Sequence, residues 1–323
     1  MPLLPPTFLT GVACAAASFA ALVAAWGAFC VRGSTAVPAA VWSVVACLAL
    51  AAEMGARAIG GLGDPAAAAA VRLGVVALAL CPALSLLGAK RPQHGVWQLI
   101  VGTLAVVLSM PAASALLMRP GSLPDVHLLE RCFMPLLVLV GWMNFAGTRR
   151  AAAVTAVAVA ELLLMRGFLP GRSMDAPGGA TAVAIDAFAT GLLLGGTLLA
   201  AVQAVAGRAD RSNAADNSTG SVAAIIDRPF LAVRETLGAA WTLRIAERFD
   251  TVAVAHDWPC RLRFRGLEVL GGEAPDTASD AFWHRDALRA FRALMRRFVS
   301  DDWLARHGWP PALVDVQQTE PSA

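Results

Sequence analysis

The chain has 323 residues, of which 57% are hydrophobic and 15% charged, and its mean hydropathy is +0.62. That hydropathy excludes an ordinary soluble protein. The formal net charge is only +3, so no overall field attracts nucleic acid, and we expect no nucleic-acid partner.

Charge is unevenly distributed along the chain. Residues 1–206 carry 18 of the 49 Asp, Glu, Lys and Arg residues, and residues 207–323 carry the other 31. We therefore predict an all-α polytopic membrane domain over 1–206. A small α+β, mostly helical, soluble domain follows over 225–314. A linker rich in small polar residues (207–224) joins the two, and 315–323 is predicted to be a disordered tail.

Seven apolar runs in the first part approach the length of about 20 helical residues that spans the hydrocarbon core of a bilayer. They lie at approximately 8–31, 37–59, 66–88, 96–118, 131–147, 151–169 and 181–206. The positive-inside rule favours one orientation weakly, because seven basic residues face six across the predicted loops. The paired residues Lys90-Arg91 and Arg149-Arg150 strengthen it. We predict a multi-pass inner (plasma) membrane protein with its N-terminus outside and its C-terminal domain cytoplasmic.

Ionisable side chains inside apolar runs are candidate functional residues, because burying a charge in lipid costs several kcal/mol. Glu53, Glu161 and Asp186 qualify, and Arg57 follows Glu53 by one helical turn. These four residues form a candidate intramembrane polar cluster, which would suit an ion, a proton or a lipid headgroup. In the simpler alternative, which the sequence favours, each acid lies near a helix end and reaches the interface or a local arginine.

The second part contains predicted helices and one hairpin. Asp227 is predicted to cap a long amphipathic helix over about 228–250, whose buried stripe includes Phe230, Trp241 and Phe249. Alternation from Cys260 to Phe264 predicts a strand that pairs with 267–270. A helix over about 280–299 follows, and Ser300 caps a last short helix.

The helix over 280–299 carries a basic edge beside its apolar arc. This edge consists of Arg285, Arg289, Arg292 and Arg296, which are candidate membrane-surface residues. The alternative is a solvated border around a packed stripe, and the sequence slightly favours it.

Metal ligands and catalytic motifs give no active-site prediction. His256, Asp257 and Cys260 are the one tight group of potential ligands, and one His and one Cys fall short of a zinc site. We predict no metal and no cofactor, and the catalytic residues are unknown. The six cysteines lack ligand spacing and are expected to pack as small buried thiols.

Two resemblances are visible in the tail. In Arg228-Pro229-Phe230, the run from Trp241 to Phe249, and Asp257-Trp258-Pro259, the chain resembles a segment of uncharacterised bacterial polytopic membrane proteins. This resemblance implies the same architecture and gives no information on activity. The stretch from Thr236 to Arg244 is similar to a motif of membrane-bound O-acyltransferases, which implies acyl transfer. In that motif an aromatic residue stands where this chain has Ala240, and the family's catalytic His lies in an apolar helix. Here the histidines that follow lie in charged sequence. These departures favour a coincidental match.

Three functions follow from these patterns, in order of preference. The first is a non-enzymatic membrane protein whose cytoplasmic domain supports assembly or binds a protein partner. The second is a membrane enzyme acting on lipid or acyl groups. The third is a small-solute or proton transporter that uses the intramembrane acids.

Overall fold

A computed structural model describes residues 5–88, 94–171, 179–217, 222–270 and 278–310. Lys90, Arg91, part of the predicted linker (218–221) and the predicted tail lie outside the described residues. The described chain is mostly helical, with one small two-stranded sheet. It divides into two compact units. The first comprises Met1–Cys30, Ala36–Gly88 and Gln93–Gln203, and the second comprises Val31–Thr35, Ala89–Pro92 and Ala204–Ala323.

The first unit contains the apolar helices. In chain order they are α1 (Pro6–Cys30), α2 (Val37–Ala58), α3 (Pro65–Leu87), α4 (His94–Leu117), α5 (Leu128–Met143), α6 (Ala151–Leu164) and α7 (Ala180–Asn217). Five of them are long and apolar enough to cross a membrane, namely α1 to α4 and the Ala180–Gly207 part of α7. This supports a multi-pass membrane protein. Helices α5 and α6 are shorter, with 16 and 14 residues.

Helix α3 lies at the centre of the first unit. Leu73, Ala77 and Leu80 are fully buried and pack with Val101 of α4 and Met134 of α5. The outer faces of α1 and α4 remain apolar and exposed. Apolar faces that remain exposed along whole helices are typical of a surface that contacts lipid.

Helices α6 and α7 approach closely at Gly196. A Cβ atom at this position would lie 2.8 Å from the Ala153 carbonyl oxygen and 2.8 Å from Val157 Cγ2. Gly191 and Gly195, on the same helix, have no such neighbour within 4 Å in the described chain. Of these three glycines, only Gly196 therefore serves helix packing.

In its described residues, the second unit contains the end of α7, four further helices and a hairpin. Its elements are α8 (Val222–Leu237), α9 (Ala239–Ala255), β1 (Cys260–Arg263), β2 (Gly266–Val269), α10 (Ala278–Met295) and α11 (Asp301–Arg306). The predicted antiparallel hairpin is confirmed, with Leu262 opposite Leu267. The predicted cap on α11 is also confirmed, since Ser300 Oγ accepts a hydrogen bond from Trp303 N at 3.2 Å.

The prediction of one long helix over 228–250 was wrong. Two helices meet at Gly238, whose φ of 83° lies in the left-handed region that glycine adopts most readily. The predicted stripe is buried on both helices, including Phe230 and Phe249. Asp227, predicted as a cap, lies inside α8, where its carboxylate accepts a hydrogen bond from Leu267 N at 2.6 Å.

The segment predicted as a linker is largely helical, because α7 continues to Asn217. The short loop between α1 and α2 also belongs to the second unit. Thr35 N donates to the Phe298 carbonyl oxygen at 2.9 Å, and Ser300 N donates to the Gly33 carbonyl oxygen at 2.7 Å. Backbone hydrogen bonds thus connect the loop to the segment between α10 and α11.

Candidate functional site

Five charged side chains meet inside the first unit and form what we call the charge cluster: Glu53, Arg57, Arg72, Arg166 and Asp186. They come from the end of α2, the start of α3, the turn after α6 and the start of α7. Asp186 lies six residues into α7, which places it about 9 Å from the helix end at about 1.5 Å per residue. The charge cluster therefore lies below one surface of the helix bundle.

Arg72 is the centre of the charge cluster. Its Nε lies 2.8 Å from both carboxylate oxygens of Glu53. Its two Nη atoms bind the two oxygens of Asp186, at 3.1 and 2.9 Å. Each of these three residues is at most 3% exposed. A planar guanidinium group that bridges two carboxylates ties α3 to both α2 and α7.

Two further arginines surround the same carboxylates. Arg57 Nη2 lies 2.6 Å from Glu53 Oε1, and Arg57 Nη1 lies 3.3 Å from Asp186 Oδ2. Arg166 donates to Asp186 Oδ1, to the Leu163 carbonyl oxygen and to the Ala182 carbonyl oxygen. Asp186 thus contacts all three arginines, which satisfies the buried acid several times over.

The structure brings together three of the four residues of the predicted cluster and separates the fourth. Glu53, Arg57 and Asp186 meet, whereas Glu161 forms no ion pair in the described chain and is half-buried on α6. The other members of the charge cluster are Arg72 and Arg166, which the sequence did not single out. The sequence did not indicate which arginine would pair with which acid.

The predicted basic edge of α10 is not uniformly exposed. Arg285, Arg289 and Arg296 are exposed, but Arg292 is only 7% exposed and donates to Asp301 Oδ1 from Nε and Nη2, at 3.2 and 3.1 Å. Arg292 fixes α10 to the start of α11 and is therefore not a membrane-surface residue.

An open groove crosses the C-terminal domain between α9 and β1. It has a volume of about 660 Å³. Leu243 and Val254 stand along one wall and are 53% and 66% exposed. Glu247 and Asp250 lie between them on α9, and Arg261 and Arg263 stand on the opposite wall. The groove thus combines apolar side chains with acidic residues on α9 and basic residues on β1, and Arg263 Nη1 lies 4.0 Å from Asp250 Oδ2 across it.

Carboxylates accept hydrogen bonds from backbone N–H groups along both edges of the hairpin beside this groove. Asp250 Oδ1 accepts a hydrogen bond from Leu262 N at 2.6 Å on β1, and Asp227 does the same for Leu267 N on β2. Burial raises the pKa of Asp227 above its ordinary value, although the Leu267 hydrogen bond opposes the shift. An added strand would find these backbone donors already used.

The histidines and the tail cysteine do not form a reactive site. His256 is exposed and stacks on Trp258, with ring centroids 5.4 Å apart, whereas Cys260 is buried. Burial, aided by Asp250, raises the pKa of the Cys260 thiol to about 11, so the thiol stays protonated near neutral pH. No group of three or more potential metal ligands converges in the residues that the structure describes.

Comparison of the chain with protein-family models, with curated proteins and with solved structures finds no match. The function must therefore be argued from the charge cluster and the groove.

Proposed function

We propose that the chain is a non-enzymatic membrane protein whose C-terminal domain binds a partner protein on the cytoplasmic side. The observation that carries this proposal is the open groove between α9 and β1, which exposes Leu243 and Val254. Exposed apolar side chains that line an open groove, together with charged residues, suit a binding surface.

The chemistry of the groove favours an amphipathic helix as its occupant. A strand is disfavoured, because the β1 edge is sealed at Leu262 by Asp250. Leu243 and Val254 are 11 residues apart on α9, which corresponds to about 16 Å or three helical turns. The occupant would carry apolar residues at helical spacing, a basic edge facing Glu247 and Asp250, and an acidic edge facing Arg261 and Arg263.

The membrane arrangement that we propose has seven crossings. Helix α6 runs antiparallel to α7, since Ala153 meets Gly196 at one end and Arg166 meets Ala182 at the other. With the turn Arg166–Phe168 that follows it, α6 extends over about 18 residues, or about 27 Å. Trp142 Nε1 donates to Thr155 Oγ1 at 2.9 Å and joins α5 to α6 as a hairpin.

The orientation follows from the loops. The loop Val31–Thr35 belongs to the same compact unit as the C-terminal domain, which supports assigning both to one side of the bilayer. Arg32 and, in a seven-crossing arrangement, Arg149 and Arg150 lie on that side too. By the positive-inside rule we assign it to the cytoplasm.

The binding proposal can be tested by photo-crosslinking in cells. A photoreactive residue at position 254 of the full chain should form an adduct with a protein, and mapping should place the adduct in an amphipathic helix. Arg248 lies on the same helix, is exposed and does not line the groove, so it is the matched control position. The adduct at 254 should fall about tenfold in the Leu243→Glu variant, whose fold is unaffected because the site is exposed.

Other occupants would contradict the proposal. An adduct with a second copy of the chain, with its own residues 311–323 or with lipid would give the groove a different role. Equal adducts at positions 248 and 254 would mean that the groove is not a specific surface.

The two other functions remain alternatives with their own tests. A proton or solute transporter would lose flux in Glu161→Gln, which alters the predicted intramembrane acid that lies outside the charge cluster. An enzyme acting on lipid or acyl groups would lose acyl transfer in His256→Ala, which removes an exposed ring and leaves the fold intact. Trp241 is unsuitable for that test, because it is 8% exposed and packs on Phe298.

A further inference from the structure

Among the residues that the structure describes, the charge cluster is electrically unbalanced. It contains three guanidinium groups and two carboxylates, so its formal charge is 3 − 2 = +1. Asp64 lies at the same end of α3, but it is exposed and uses its carboxylate to cap the helix at Ala66 and Ala67. A net charge below the surface of a helix bundle is costly without a counter-ion.

One donor in the charge cluster is also unused. Arg57 Nε is buried and has no hydrogen-bond partner in the described chain. The Arg57 side chain is 8% exposed. A buried donor without a partner costs about 1–3 kcal/mol. An anion that accepts from Arg57 Nε would remove this cost and the excess charge together.

Arg166 gives such an anion a way in. Its side chain is 26% exposed, whereas those of Arg57 and Arg72 are 8% and 4% exposed. Arg57 and Arg166 both contact Asp186, through its Oδ2 and Oδ1 respectively. Their guanidinium groups therefore flank the same carboxylate, which places them close enough for a polyatomic oxyanion to contact both.

We infer that the charge cluster binds one monoanionic phosphate group through Arg57 and Arg166. A singly charged phosphate matches the +1 excess, and its several oxygens suit the forked donors of two guanidinium groups. Two sources share this chemistry, the phosphodiester of a phospholipid headgroup and free phosphate. The position of the charge cluster, about two turns from the helix ends, is compatible with both.

The test uses the full chain in a neutral maltoside detergent, with thermal unfolding as the readout. One arm adds dioctanoylphosphatidylglycerol and the other adds sodium phosphate, each against sodium chloride at equal ionic strength. We expect a saturable rise in Tm in at least one arm, since a ligand that binds only the folded state stabilises it. A rise with the lipid alone identifies the headgroup, and a rise with phosphate identifies the free ion.

Two variants keep the test independent of folding. Arg57→Lys retains the positive charge and removes the Nε donor, and Arg166→Gln removes the accessible guanidinium group. Each should weaken binding about tenfold, which is the effect of losing one charged hydrogen bond. Arg119→Gln is the matched control, because Arg119 is exposed and outside the charge cluster, and it should bind as the unaltered chain does. No saturable rise in either arm, or equal affinity in all three variants, would overturn the inference.

Discussion

At the scale of single residues, the buried carboxylates of the charge cluster are each contacted by more than one arginine. Arg72 binds Glu53 and Asp186 at once, and Asp186 is contacted by Arg57 and Arg166 as well. Ion pairs of this kind are worth little against a well-packed apolar core, but removing one partner leaves an uncompensated charge. The charge cluster therefore specifies which helix ends meet. A large loss of stability is expected only when one of its partners is removed.

Replacing Asp186 should reveal that cost. In Asp186→Asn the three arginines retain only Glu53 as a counter-charge, so we expect a loss of about 3–5 kcal/mol in the free energy of unfolding. Thermal unfolding in detergent measures this as a lower Tm. Asp125→Asn changes an exposed acid outside the charge cluster and should leave Tm unchanged. Equal Tm values for the two variants would contradict the structural role of the charge cluster.

Because of Asp227, we expect the stability of the C-terminal domain to depend on pH. Its pKa is raised by burial, so folding favours the protonated form, and ionisation costs stability as pH rises through the raised pKa. Asp227→Asn keeps an acceptor for Leu267 N and does not ionise. The variant should therefore gain stability relative to the parent chain as pH rises from about 3 towards neutrality. Hydrogen exchange of the hairpin in the full chain measures this difference, and a constant difference across that range would contradict it.

Only some residues of the charge cluster could be predicted from the sequence. Acids in apolar runs are conspicuous, so Glu53 and Asp186 were found. Glu161 was predicted to join them, but it forms no ion pair in the described chain, where Arg166 binds Asp186 from the turn that follows α6. Pairing of Arg72 with both acids depends on three helices meeting, which no local pattern predicts.

At the scale of elements, helix boundaries were harder to predict than helix faces. The stripe from Phe230 to Phe249 is buried as predicted, although Gly238 divides it between α8 and α9. Residues 207–217 have the small polar composition of a linker, yet they extend α7. Extending an existing helix avoids the cost of nucleation, so weak local propensity is sufficient there.

The contact between α6 and α7 gives a prediction at this scale. Gly196→Leu inserts a side chain where a Cβ atom already lies 2.8 Å from Ala153 and Val157. We expect a loss of about 1–3 kcal/mol from overpacking, measured as a lower Tm in detergent. Gly191→Leu, on the same helix with no neighbour within 4 Å in the described chain, should be neutral. Similar losses in both variants would mean that the glycines act through helix propensity rather than packing.

At the scale of the whole molecule, the proposed arrangement gives the two surfaces of the membrane different roles. It places the loop Val31–Thr35, the C-terminal domain and its partner groove on one side. The ends of α2 and α6 and the starts of α3 and α7 meet in the charge cluster. In a seven-crossing chain these ends face the opposite side. The charge step near residue 206 indicated the two domains, but the number of crossings depends on α5 and α6, whose lengths are marginal.

Topology reporters fused after residues 61, 148 and 215 test this arrangement most directly. Alkaline phosphatase reports an external position and a fluorescent protein reports a cytoplasmic one. The account predicts an external signal at 61 and cytoplasmic signals at 148 and 215, because α3, α4 and α5 each cross between the first two sites. External signals at both 61 and 148 would show that α5 does not cross, and an external signal at 215 would contradict the cytoplasmic C-terminal domain.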